Sequence, residues 1–217
     1  MSERRVVIVD YGVGNLLSAQ RAFVHCGGKV TLTENPQAVA AADRLVVPGV
    51  GAFGHCLRQL EARGLVDPVK SVVAAGRPMI GICVGMQMLF EGSEEFGRHS
   101  GLGFLQGWIK RIPSTDSSGI EHKIPHIGWN ALSMPQEANS NRWSGTILDG
   151  VSPGAEAYFV HSFTAWPENF QHRLADADYG GRRISAAVQK DNIYGTQFHP
   201  EKSGPIGLMI IENFLKL

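Results

Sequence analysis

The chain has 217 residues, and its twenty Lys and Arg side chains balance twenty Asp and Glu side chains. This length suits one domain with a sizeable core, and the even charge balance excludes the basic surface typical of nucleic-acid-binding proteins. The three cysteines are too few for a disulfide framework, and no long apolar segment is present, so we expect a cytoplasmic protein with no membrane association.

Apolar runs of strand length alternate with helical patterns through the first half of the chain. This alternation predicts an open, mostly parallel sheet with helices on both faces. The strands are predicted at 4–10, 29–33, 44–48 and 77–84, and the helices at 15–28, from Asn35 onward, and from about 52 to 75. The segment that follows the fourth strand, Met86 to Gly92, is predicted as a further helix.

The second half predicts shorter strands, some of them antiparallel, and a closing helix. The stretch from Pro113 to Trp143 is polar and is predicted to be rich in loops. No repeat or long linker divides the chain, so the prediction is one α/β domain over residues 1–217. Strands are predicted at 101–113, 126–134, 157–163, 184–189 and 193–201, and the helix at 204–217.

The segment "RLVVPGVGAFG" has glycines at 49, 51 and 54, which is the G-x-G-x-x-G spacing of dinucleotide sites. A dinucleotide site also needs an acidic residue about twenty positions further on. Residues 68–73 contain no acidic side chain, and Asp67 falls in a helical pattern. The glycines therefore serve another purpose.

The segment "GICVG", Gly81 to Gly85, places a cysteine at the end of an apolar strand and before a helical pattern. A tight strand-to-helix turn of this kind projects a nucleophile, and its flanking glycines relieve crowding. Cys83 is therefore a candidate nucleophile. The alternative is a small apolar residue in a buried turn, which is common for free cysteines.

The segment "QFHPE" places His199 and Glu201 two residues apart, on the same side of an extended chain. A carboxylate beside an imidazole fixes its tautomer and stabilises its charged form. Together with Cys83, this pair supplies the three roles of covalent acyl transfer. The alternative for the pair alone is an exposed histidine with a solvated glutamate.

The motifs "PGVGAF", "GICVGMQ" and "GTQFHPEKS", in this order, resemble the class I glutamine amidotransferase family. The segments "DYGVGNLLS", "KIPHIGWN" and "YFVHSF" resemble most closely its branch of imidazole glycerol phosphate synthase glutaminase subunits. The likeness runs from Asp10 nearly to the C-terminus. It implies L-glutamine as substrate and neither a cofactor nor a metal.

The resemblance implies a role for each matching residue. Cys83 would be the nucleophile, His199 the base and then the acid, and Glu201 its orienting partner. Backbone N–H groups would stabilise the oxyanion, and four residues would bind the substrate. The oxyanion positions are Val50, Gly51 and Val84, and the substrate positions are Gln87, His161, Ser162 and Phe163. Many family members have Tyr-Tyr where this chain has Phe163 and Thr164, so a backbone contact is expected at 163.

The resemblance also implies a partner, a separate (β/α)8-barrel cyclase that receives ammonia in a heterodimer. The face of this chain that docks on the cyclase is expected to include Asn15, Pro125, His126, Trp129 and an exposed Lys202.

Three other interpretations remain open at this point: another cysteine hydrolase, a subunit without catalytic activity, and a related glutaminase that serves a different acceptor such as a surface-sugar amidination enzyme. His122 and His126 have a metal-like spacing, but Pro125 and Gly128 argue against the helix that this spacing requires.

Overall fold

A seven-stranded sheet forms the centre of the structure, a computed structural model that describes residues 3–136 and 142–217. Five neighbouring strands are parallel, and two at one edge continue the sheet in antiparallel pairing. This is the α/β architecture that the sequence predicts. In chain order the strands of this sheet are β1 (Arg5–Val9), β2 (Lys29–Thr33), β3 (Leu45–Gly49), β4 (Met79–Cys83), β11 (Arg173–Tyr179), β12 (Arg182–Lys190) and β13 (Ile193–Thr196).

The sheet order is β11-β12-β13-β4-β3-β1-β2. All residues of β3 and β4 are buried, as expected for central parallel strands covered on both faces. The helices are α1 (Leu16–His25), α2 (Pro36–Ala40), α3 (Phe53–Ala62), α4 (Val66–Ala74), α5 (Val84–Gln87) and α6 (Gly204–Lys216). Helix α1 packs against α6, and α2 packs against α4.

Two smaller sheets are built mainly from the second half of the chain. Their strands are β5 (Phe90–Ser93), β6 (His99–Ser100), β7 (Leu105–Arg111), β8 (His126–Ala131), β9 (Glu156–His161) and β10 (Phe163–Pro167). One sheet has four strands in the order β10-β7-β5-β6, and in the other β8 pairs with β9 in an antiparallel ribbon. Among the residues described, no helix is long and apolar enough to cross a membrane.

The structure differs from the predicted elements at two places. The helix expected from about 52 to 75 is two helices, α3 and α4, because the chain turns at Gly64, where φ is +64°. The helix predicted from Met86 to Gly92 is wrong: α5 ends at Gln87, and β5 begins at Phe90. β5 pairs with β6 and β7 and is largely buried, and a short buried apolar run fits a strand as well as a helix. Within the loop-rich stretch 113–143, residues 137–141 lie outside the described residues.

The turn after β4 packs directly onto β3. A Cβ atom added to Gly85 would lie 1.9 Å from the carbonyl oxygen of Val47, and one added to Gly49 would lie 2.7 Å from the Gly85 nitrogen. Both neighbouring atoms are backbone, so they cannot rotate away. The first glycine of "PGVG", Gly49, and the last glycine of "GICVG", Gly85, are therefore required by the contact between these two segments.

We expect Gly85→Ala to lower the free energy of unfolding by at least ~3 kcal/mol, the upper end of overpacking costs, because backbone would have to move. Urea unfolding followed by circular dichroism measures this. Gly76→Ala is the matched control: its Cβ would meet nothing within 4 Å, and φ there is +72°. It should cost only ~1 kcal/mol, from the left-handed backbone alone. Equal losses in the two variants would contradict the proposed contact.

Candidate active site

Cys83 occupies the sharp turn between β4 and α5. Its backbone angles are φ 55° and ψ −111°, a region that non-glycine residues rarely adopt and that costs ~1–3 kcal/mol. The side chain is buried, at 3% exposure. Strain of this kind persists where the surrounding structure enforces it, and here the contact of Gly85 with β3 does so.

The segment after β3 lies beside this turn, since Gly49 pairs with Cys83 in the sheet. Two carbonyl groups at the end of β3 and just after it accept hydrogen bonds from side chains. The Tyr11 hydroxyl donates to the Pro48 oxygen, and the Cys56 thiol donates to the Val50 oxygen at 3.2 Å. Gly51 follows with φ +83°. These bonds fix the peptides on either side of the Gly49–Val50 peptide.

His199 and Glu201 follow β13, the other neighbour of β4. His199 Nδ1 and Glu201 Oε1 are 2.8 Å apart, and both side chains are 3% exposed. The backbone N–H of His199 donates to the Tyr158 carbonyl at 3.0 Å, which ties the loop to β9. The three predicted triad residues thus follow the carboxyl ends of β4 and β13, where open α/β sheets bind their ligands.

The electrostatics of His199 favour its charged form. Burial acts to lower its pKa, but interactions with Cys83 and Glu201 outweigh burial and raise the pKa to about 10. The second ring nitrogen, Nε2, has no hydrogen bond to the described residues. It is therefore available for proton transfer, and catalytic hydrogen bonds often tighten only when substrate binds.

One cavity of about 160 Å³ brings together most of the predicted catalytic, oxyanion and substrate positions. Glu201 does not line the cavity and instead contacts His199 from the side away from it. Two lining residues were not predicted from the sequence, Glu95 and Val160. The lining residues are Val50, Gly51, Cys83, Val84, Gln87, Glu95, Val160, His161, Ser162, Phe163 and His199.

Gln87 is held by two bonds from its amide nitrogen. It donates to the Phe163 carbonyl at 3.1 Å and to Gln197 Oε1 at 3.1 Å. Gln197 in turn lies with its amide nitrogen 3.8 Å from the Cys83 sulfur. Gln197 was not predicted as a site residue, although its position inside "QFHPE" was a signal for it.

Glu95 brings a carboxylate to the cavity, and its Oε2 accepts from the Phe53 N–H at 2.6 Å. It follows β5, the strand that the sequence predicted as a helix. For this reason the sequence offered no basis for placing Glu95 beside Cys83.

Four of the five predicted docking residues are accessible. Pro125, Trp129 and Lys202 are exposed, and Asn15 is half-buried in a niche beside Val50 and Glu201. Lys202 Nζ lies 5.9 Å from the centre of the Tyr158 ring, and Trp129 meets the same ring edge-on at 6.0 Å. Tyr158 was not predicted and joins these two residues into one surface.

His126 does not fit the prediction of a surface contact. Its side chain is 2% exposed, because side chains alternate along β8 and His126 falls on the inner face. Its Nδ1 is 3.1 Å from His161 Nε2. His122, its possible metal-binding companion, bonds the Pro113 carbonyl instead. No group of three metal-ligating side chains is found among the described residues.

Two buried histidines should make stability depend on pH. Burial lowers the pKa of His126 to about 4 and that of His161 to about 3. Between pH 6.5 and these values the unfolded chain binds more protons at these two positions, so their contribution to the free energy of unfolding should fall as the pH is lowered below 6.5 and stay nearly constant above it. For His126 the loss at pH 5 is on the order of 2 kcal/mol.

Urea unfolding at pH 7.5, 6.5 and 5 measures this effect. His126→Phe should lose less stability than the natural sequence over this interval, because it removes one of the two groups. An identical pH dependence in the variant would contradict the burial of a neutral His126.

Comparison with known proteins agrees with this geometry. The family model "Glutamine amidotransferase class-I" matches residues 7–217. The chain is 48% identical to imidazole glycerol phosphate synthase subunit HisH 1 of Legionella pneumophila (strain Lens), over 98% of this chain and 99% of the relative. It is 46% identical to HisH of Syntrophotalea carbinolica, over 96% and 98%.

Solved structures share the fold at low sequence identity. One described as a glutamine amidotransferase has a TM-score of 0.70 at 17% identity, covering 97% of this chain and 99% of the other. PurLQS from Thermotoga maritima has a TM-score of 0.71 at 20% identity, covering 100% and 99%. With its motifs gathered around one cavity and relatives matching along nearly its whole length, the chain belongs to the class I glutamine amidotransferase family and, within it, to the HisH subunits of imidazole glycerol phosphate synthase.

Proposed function

We propose that Cys83, His199 and Glu201 hydrolyse the side-chain amide of L-glutamine, and that the ammonia passes to a separate cyclase subunit in histidine biosynthesis. The observation that carries the proposal is the shared cavity. Cys83 and His199 line it together with the segment of Val50 and Gly51, while Glu201 holds His199 from behind at 2.8 Å. These are the nucleophile, base, orienting acid and oxyanion segment of acyl transfer.

The reaction follows from these positions. His199 carries on Nε2 the proton that Cys83 has given up, and the sulfur anion attacks the amide carbon of glutamine. The N–H of Val84 and an N–H of the Val50–Gly51 segment stabilise the oxyanion. His199 returns the proton to the leaving nitrogen, ammonia departs, and a glutamyl thioester remains. Water, deprotonated by the now neutral His199, then releases glutamate and restores the pair of sulfur anion and protonated His199.

The cavity suits a small amino-acid substrate. Its volume of about 160 Å³ is well below the roughly 300–1,000 Å³ of sites for drug-sized ligands, which argues against a peptide substrate. The Glu95 carboxylate offers a partner for the substrate α-ammonium group. The 161–163 backbone and Gln87 provide polar partners for the rest of the amino acid. Such contacts place the amide carbon next to the Cys83 sulfur.

The surface of this chain that binds the cyclase is proposed to be the outer face of β8 and β9. Trp129 and Ile127 are 54% and 58% exposed, and Lys202 adds a positive charge beside Tyr158. Val160 of β9 lines the catalytic cavity, so a barrel seated here would lie next to the point where ammonia is released. The names of the HisH relatives support the histidine pathway over another acceptor. A single domain over residues 1–217 and a cytoplasmic location remain part of this proposal.

Replacing Cys83 by Ala should abolish glutamine hydrolysis, with a loss of several orders of magnitude, because triad deletions remove the covalent route. Glutamate release in the presence of the cyclase measures this, and circular dichroism verifies the fold. Cys26→Ala is the control, since Cys26 caps α1 and bonds the Leu208 carbonyl away from the cavity. Substantial turnover in Cys83→Ala would refute the nucleophile.

Trp129→Ala and Lys202→Ala should weaken binding of the cyclase, because aromatic residues are frequent interface anchors and a docked charge pair costs ~2–5 kcal/mol when one member is truncated. Isothermal titration with the purified cyclase gives the Kd. Trp166→Ala is the matched control, since Trp166 is 52% exposed but lies on β10. Natural affinity in both docking variants, or an equal loss in the control, would place the interface elsewhere.

A further inference from the structure

We propose that His126 and His161 are positioning residues that hold the Phe163 carbonyl, and with it Gln87, in place for glutamine, and that they connect this part of the site to β8. The inference rests on the proposed function. It assigns a role to two buried imidazoles, neither of which transfers a proton in the reaction above.

The hydrogen bonds have one permitted direction, fixed at both ends by backbone carbonyls. His161 Nδ1 lies 2.8 Å from the Phe163 oxygen, so Nδ1 carries the proton and donates. His161 Nε2 is then an acceptor, and it takes the proton of His126 Nδ1 at 3.1 Å. At the other end, Asn130 Nδ2 donates to the Asp178 oxygen at 2.6 Å. This orients the amide so that Nδ2 also donates to His126 Nε2 at 3.3 Å.

The chain of donors therefore runs from Asn130 through His126 and His161 to the Phe163 carbonyl, with each histidine neutral and protonated on Nδ1. Any other tautomer of His161 would place two donors or two acceptors opposite each other. Because both histidines are buried, water cannot relieve such a mismatch. The network is therefore satisfied in one arrangement only.

The network ends on a group that the site uses. The Phe163 carbonyl also accepts from Gln87 Nε2 at 3.1 Å, and Gln87 lines the cavity with Cys83. His161 and Gln87 thus hold the same oxygen from two sides. Loss of the His161 donor would release the oxygen, and Gln87 would lose a fixed partner.

The other end of the network lies on the strand of the proposed docking face. His126 is held between the rings of Phe159, at 4.9 Å, and Tyr179, at 4.1 Å. Ile127 and Trp129, on the opposite face of β8, are exposed. A partner that moves β8 by pressing on its outer face must also move His126 and hence the donor chain.

Two substitutions at His126 separate hydrogen bonding from packing. His126→Phe keeps an aromatic ring between Phe159 and Tyr179 but removes the donor to His161. His126→Asn loses the ring but places an amide near the position of Nδ1, where it can donate. Positioning predicts that Asn is the better substitute, whereas a packing role predicts that Phe is.

The experiment measures glutaminase kinetics of the complex with the cyclase. For His126→Phe we expect KM for glutamine to rise roughly 5- to 150-fold, the effect of leaving a buried polar atom unpaired, with kcat changed less than threefold. His126→Asn should recover most of the loss. His122→Phe is the control, because His122 also stacks on Tyr179 but lies outside the donor chain. An unchanged KM in His126→Phe, or a larger defect in His126→Asn, would overturn the proposal.

Two further measurements distinguish a failure of this inference from a failure of the proposed function and from misfolding of a variant. Labelling of Cys83 by the glutamine analogue 6-diazo-5-oxo-L-norleucine reports on the proposed function itself. If the natural sequence is neither labelled nor active, the function fails, whereas normal labelling with an unchanged His126→Phe overturns only the inference. Side-chain ¹⁵N NMR of the natural sequence requires no variant: both histidines should be neutral and protonated on Nδ1. A proton on Nε2 of His161 would overturn the proposal even if a variant failed to fold.

Discussion

The contact between the ends of β3 and β4 is the constraint on which the site depends. Gly85 lies so close to the Val47 carbonyl, and Gly49 so close to the Gly85 nitrogen, that neither glycine could carry a Cβ atom. This approach turns the chain sharply at Cys83 and places the sulfur beside the Val50–Gly51 segment. The nucleophile and the oxyanion segment are thus positioned by the central sheet, the most deeply buried part of the molecule, and not by flexible loops. Preorganisation of this kind is what makes electrostatic stabilisation of a transition state effective.

The second requirement is a histidine that stays protonated in a buried place. An isolated imidazolium is costly to bury, and for His126 and His161 burial lowers the pKa. His199 is equally buried, but Glu201 and Cys83 raise its pKa to about 10. The same type of side chain therefore serves two purposes in neighbouring positions: neutral histidines orient carbonyl and amide groups, and a charged one carries the proton between sulfur and nitrogen.

Much of this could be predicted from the sequence, because the strongest patterns coincide with the strongest physical constraints. Central parallel strands are fully buried and so give continuous apolar runs, and the residues that follow them carry the chemistry. Prediction failed where tertiary pairing decides. The run around Phe90 fits a strand or a helix equally well, and this ambiguity concealed Glu95. His126 was predicted on the docking face because the whole segment from Pro125 to Trp129 was assigned there by resemblance, and only the alternation of β8 shows that its side chain points inward. The role of Gln197 depends on its distance to Gln87, which no spacing reveals.

A covalent glutamyl intermediate on Cys83 can be trapped by rapid acid quenching during turnover. The chain and its cyclase are mixed with isotopically labelled glutamine, quenched within one turnover, digested and analysed by mass spectrometry. We expect a labelled glutamyl adduct on the peptide that contains Cys83 and none on the peptides that contain Cys26 and Cys56. The adduct should accumulate in parallel with the first release of ammonia. Ammonia release at the full rate with no adduct on Cys83 would rule out Cys83 as the nucleophile.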